Sequence, residues 1–150
     1  MRNTALYIVL LAAALLVPAE RTDLGKLKPV ETVLLYESDG FITVRTDTED
    51  EGSGDTLEKA IQNMKQTASG VIYLDTADYL LVMEGAQVWI PELRGILKEN
   101  VRICKAEGQV DVLLAASYLS VHKPKWTMET WEPQAELQVL RVENERMNLS

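Results

Sequence analysis

The period of apolar positions changes repeatedly along the chain, and each change marks an element. Residues 30–37, VETVLLYE, and 41–46, FITVRT, are rich in β-branched and aromatic residues and are separated by Ser38, Asp39 and Gly40. Two such runs around a cluster that tolerates positive φ predict a β-hairpin. From Asp55 the period lengthens: Leu57, Ala60, Ile61, Met64 and Ala68 recur at helical spacing, with Asp55 and Glu58 in the form of a capping box. This helix is expected to end near Gly70. The short apolar runs VIYL and YLLVM, 71–74 and 79–83, read as strands flanking a bend, and 88–98 reads as a helix with Pro91 in its first turn. A strand over 101–105 and a turn at Gly108 follow. Val110, Leu113, Leu114 and Tyr118 then form a third helical stripe.

Residues 123–150 hold Pro124, Trp126, Trp131 and Pro133 in loop-like composition, and within them 136–142, ELQVLRV, offers a terminal strand. The order ββαββαβα, with that last strand optional, predicts an α/β fold with a mixed sheet and helices packed on it. The expected organisation is a leader over 1–19, one domain over 20–122 and a tail over 123–150.

The leader is expected because Arg2 precedes an apolar stretch from Ala5 to Val17, with small residues Val17 and Ala19 at cleavage spacing. The stretch is shorter than the roughly 20 residues that a spanning helix needs, so a signal peptide is favoured over a permanent anchor. The chain is therefore expected to be exported, then secreted or held at the membrane only through an uncleaved leader.

Length and charge narrow the function classes. A chain of 150 residues with 47% hydrophobic and 25% charged residues forms one globular domain with a real core. A net charge of -8 without any basic run argues against nucleic acid and anionic membranes as partners. Cys104 is the only cysteine, so no internal disulfide is available to an exported protein. In VRICK, alternation places Cys104 opposite Val101 and Ile103, as a strand residue packed under a helix. His122, the only histidine, has no spacing that relates it to the thiol.

Three stretches are candidates for chemistry or contact. Asp75 and Asp78 lie in the bend between two strands, where paired carboxylates serve general acid and base work only if one is desolvated. Without a histidine partner, phosphate loop or nucleophile motif, Asp75 and Thr76 are expected instead to satisfy local backbone groups. The stretch 47–58, DTEDEGSGDTLE, puts Asp47, Glu49, Glu51, Asp55 and Glu58 at ligand positions of a calcium loop, with Gly52 at its sharp turn. Against that, a strand precedes it where a helix belongs, so an acidic connector and helix cap is the competing reading. Trp126 and Trp131 are the candidate contact residues of the tail, since tryptophan is enriched at interface hot spots. No catalytic residue and no cofactor is expected.

GSGDTLEKAIQNM, then GVIYLDTADYLLVMEGA, then a helix, VRICKAEG and a final helix make the chain similar to the N-terminal domain of the Ger(x)C spore-germination lipoproteins. The residues that carry the resemblance are Gly54, Thr56, Leu57, Ala60 and Ile61 at the helix start, Gly85 after the strand pair and Gly108 after the next strand. It covers roughly residues 20–120 and extends to the charged segment 20–27, ERTDLGKL. The resemblance implies a non-enzymatic subunit that acts by protein contact, with membrane germination-receptor subunits as partners. Two features depart from the family pattern: Val17, Pro18 and Ala19 replace the lipobox with its cysteine, excluding lipidation there, and the chain has one domain where the family has three. Asp75 and Thr76 also stand where the family has a Gly-His pair. The rival expectation is a small secreted ligand- or calcium-binding protein with 47–58 as its site.

Overall fold

The computed structural model describes residues 24–150, so the leader expected over 1–19 lies outside the described residues. Its strands are β1 (Leu27–Pro29), β2 (Thr32–Ser38), β3 (Phe41–Thr46), β4 (Glu51–Gly54), β5 (Val71–Tyr73), β6 (Tyr79–Val82), β7 (Arg102–Glu107), β8 (Trp126–Thr127), β9 (Val139–Glu143) and β10 (Arg146–Leu149). The α-helices are α1 (Leu57–Thr67), α2 (Ile90–Leu93) and α3 (Val112–Val121). The predicted α/β class with a mixed sheet is what forms.

The main sheet runs β10-β9-β7-β6-β2-β3-β4, with β8 also on β7. β2, β6, β7 and β9 pair in parallel, whereas β3, β4, β8 and β10 are antiparallel to their neighbours. β1 and β5 form a separate parallel pair. The predicted hairpin turns at Asp39 and Gly40, whose φ values of 53° and 78° match the paired positive dihedrals of a type I′ turn.

Central strands are buried on both faces, which is why YLLV in β6 is apolar without alternation. Val33, Leu35, Ile42, Leu80 and Ile103 face one core with α1, α2 and Trp131. Leu34, Leu81, Cys104, Ala106 and Leu140 face a second core under α3. Each buried Leu or Ile contributes about 1.5–3 kcal/mol by leaving water.

Several expectations about local structure are corrected. Thr56, not Asp55, caps α1, accepting from the Lys59 N–H at 3.2 Å, while Asp55 pairs with the Lys59 ammonium. The helix expected over 88–98 is only the four-residue α2, because Gly95 turns the chain with φ of 91°. Residues 123–150 are not a tail beside the domain: β8 and β9 share one edge of β7, and Met128, Trp131 and Leu137 enter the first core.

Candidate functional site

The stretch 47–58 was the candidate metal loop, and the fold takes it apart. Residues Glu51–Gly54 are strand β4, paired with β3 from Ile42↔Gly54 to Arg45↔Glu51. Of the five carboxylates only Glu51 lies in that strand; Asp47 and Glu49 precede it and Asp55 and Glu58 follow it, so the stretch is a turn, a strand and a helix start rather than one loop. Each has other work or another direction. Asp47 Oδ1 accepts the N–H groups of Glu31 and Thr32, both at 3.0 Å; Glu51 pairs with Arg45; Asp55 pairs with Lys59. The Lys59 hydrogen bond holds the Asp55 carboxyl below its ordinary range. Glu49 occupies a turn with φ of 63°, and Glu58 lies in the first turn of α1. Among the described residues no three His, Cys, Asp or Glu side chains are grouped to hold a metal ion. Asp47, Glu49, Glu51, Asp55 and Glu58, expected as calcium ligands, therefore do not form one ligand set.

The acid that holds structure in this stretch is Asp50, which occupies no ligand position of a calcium loop. It is 9% exposed, receives the Lys28 ammonium on both oxygens at 3.0 Å, and accepts from the Thr48 hydroxyl at 2.6 Å. It ties β1 to the turn between β3 and β4. Nothing in the sequence separated it from its exposed acidic neighbours.

At the bend between β5 and β6, Asp75 and Asp78 are placed differently. Asp78 pairs with Lys98 at 2.6 Å, and its backbone N–H donates to the Glu31 carbonyl at 2.8 Å. Asp75 sits in a 3-10 turn, Leu74–Thr76. The Thr76 hydroxyl accepts the Val30 N–H at 2.9 Å and faces the Tyr73 and Val30 carbonyls at 2.7 and 2.9 Å. The bend is thus a backbone clamp, as expected for Thr76.

Cys104 and His122 belong to separate environments. Cys104 is fully buried beneath α3, and that burial pushes its thiol up to about 12. His122 is exposed at the end of α3, stacked on Tyr118 with ring centroids 4.3 Å apart. A thiol that stays protonated is neither nucleophile nor metal ligand.

The two tail tryptophans are also reassigned. Trp131 is buried in the first core, its N–H backbone group donating to the Thr127 carbonyl and its own carbonyl accepting from Arg94. It cannot be a surface contact. Trp126 is half-buried against the same core, its indole donating to the Glu136 carbonyl at 3.0 Å and the Lys125 ammonium lying 5.1 Å from its ring.

The exposed apolar surface lies elsewhere, on α3. Asp111 caps this helix by accepting the Leu114 N–H at 3.0 Å, and Val112, Ala115, Ala116 and Leu119 turn into the sheet. That orientation leaves Leu113, Leu114 and Val121 outward at 56%, 59% and 75% exposure. Leu114 and Val121 are two helical turns apart and so share a face, with Ser117 between them. No charged residue occurs from Val112 to Val121. The stripe Val110, Leu113, Leu114 and Tyr118 predicts Leu113 and Leu114 inward; Ser117 and Ser120, both exposed, are the polar positions that mark the outer side instead. The absence of charge over ten residues was the signal available.

No protein-family model, curated protein sequence or solved structure matches the chain.

Proposed function

We propose that this chain is an exported, non-enzymatic α/β domain that works by protein contact, as its resemblance to the Ger(x)C germination-receptor subunits implies. The observation that carries this reading is the charge-free outer face of α3, where Leu113, Leu114 and Val121 stand in water. Side chains of this kind gain free energy when another protein covers them, whereas scattered single apolar residues do not mark a site. The fitting partner is an apolar helix or groove on a membrane-bound receptor subunit. The acidic balance of the rest of the surface favours a neutral or basic rim around that groove. Supporting the non-enzymatic reading, the candidate acids, thiol and imidazole hold the fold together or stand apart.

The test is cross-linking capture from membranes of sporulating cells, with wild type and a Leu114→Glu, Val121→Glu variant compared. A specific receptor subunit should be recovered with wild type and lost with the variant. Recovery of the protein alone, or equal capture by the variant, would sink the contact reading.

A further inference from the structure

The outer face of α3 is nearly symmetric about its own midpoint. Ser117, exposed, lies at the centre of that face. Helical geometry places Leu114 and Val121, one before and one after it, on one flank, and Leu113 and Ser120 on the other.

The two ends of the helix differ in charge. Beside the N-terminus, Asp47, Glu49, Glu51 and Asp111 line an open groove whose only cation, Arg45, is already paired with Glu51. Just past the C-terminus, Lys123 and Lys125 are both exposed.

We propose that a second copy of this chain covers the face, with the two α3 helices antiparallel about a two-fold axis at Ser117. Leu114 of one copy then meets Val121 of the other, twice by symmetry, and Leu113 meets Ser120 on the opposite flank. Charge decides the orientation. Copies that each carry a net charge of -8 repel, and a parallel pair would set one acidic end against the other. The antiparallel pair instead brings Lys123 and Lys125 to the acidic groove of the other copy and opposes the helix dipoles favourably. One helix laid on another is smaller than a standard interface, so the dimer is a weak one that can yield the face to a receptor subunit. The inference rests on reading this face as a contact surface and names what occupies it when no receptor is present.

The experiment has two arms. Sedimentation equilibrium of the full chain is expected to show a monomer–dimer equilibrium that weakens about tenfold or more in Val121→Glu, a change that the two-fold introduces twice. Oxidation of Ser117→Cys is expected to give a covalent dimer, because Cα atoms facing each other across closely packed helices come within disulfide reach. Ser38→Cys, exposed at the β2–β3 turn, should stay monomeric under the same oxidant, and the native Cys104 is too deeply buried to contribute. A chain that stays monomeric at millimolar concentration, or a dimer that Val121→Glu leaves intact, overturns the proposal. Equal cross-linking of Ser117→Cys and Ser38→Cys overturns the two-fold geometry. Receptor capture by a chain that never dimerises would leave the contact reading of α3 standing while this inference falls.

Discussion

Gly52 and Ala60 meet backbone to backbone: a Cβ on Gly52 would overlap the Ala60 carbonyl oxygen and the Met64 nitrogen, and would lie 2.5 Å from the Met64 Cβ. Gly54 repeats the relationship one pleat further on: a Cβ there would lie 2.7 Å from the Ala60 nitrogen. Helix α1 can therefore lie directly on the edge strand β4. Asn63 accepts the outward N–H of Ser53 at 3.2 Å, so the helix also covers an edge that would otherwise invite another strand.

Gly52→Ala is expected to destabilise the protein by about 3 kcal/mol, because the added methyl meets the backbone of α1, which has no rotamer with which to yield. A lowered urea midpoint at unchanged slope would show this. An unaltered midpoint would mean that α1 can withdraw from the strand.

Asp50→Ala removes the acceptor of Lys28 and Thr48 from a nearly closed site. The loss should be about 2 kcal/mol, discounted from a fully buried pair because Lys28 is partly in water. Glu51→Ala, which breaks an exposed pair with Arg45, should cost less than about 1 kcal/mol in the same assay.

Cys104 should resist thiol reagents in the native state and react only on unfolding. Its folded thiol ionises near 12, above the ordinary value of 9.0, so the unfolded chain releases this proton first as pH rises. The stability contributed by the neutral thiol is complete below pH 9 and is lost progressively between 9 and 12. Cys104→Ala should lack that component of alkaline destabilisation, measured as the melting temperature against pH.

Leu114→Ser and Val121→Ser should change stability by no more than about 0.5 kcal/mol, since their side chains are already in solvent. Leu119→Ala, one turn away but fully buried, should cost about 2–5 kcal/mol. Equal costs at Leu114 and Leu119 would contradict the orientation of α3.

Millimolar calcium should leave the melting temperature unchanged, because a ligand stabilises only by binding the native state preferentially and no three acids of 47–58 are grouped closely enough to hold a metal ion. A calcium-dependent rise would restore the metal reading.

Local signals were legible where one residue's neighbours decide its conformation. The Asp39-Gly40 turn, the stripe Leu57, Ala60, Ile61 and Met64, and the opposite facing of Ile103 and Cys104 all follow from period and turn chemistry. The acidic stretch misled for a physical reason: the same spacing suits a calcium loop and a strand followed by a capped helix. Only pairing with β3 distinguishes them. The helix expected after Val88 failed because Gly95 stops it within its second turn.

What the sequence by itself determined is therefore the α/β class, the hairpin, helix α1 and the packing of Cys104, since each rests on periodicity within one segment. Tertiary structure alone decided that β9 joins β7, that Trp131 is interior, that Asp50 is the structural acid and that α3 turns Leu114 and Val121 outward. Those outcomes depend on which distant segments cover a residue, and a helix whose only strongly polar positions are Ser117 and Ser120 carries little record of which leucines will be covered.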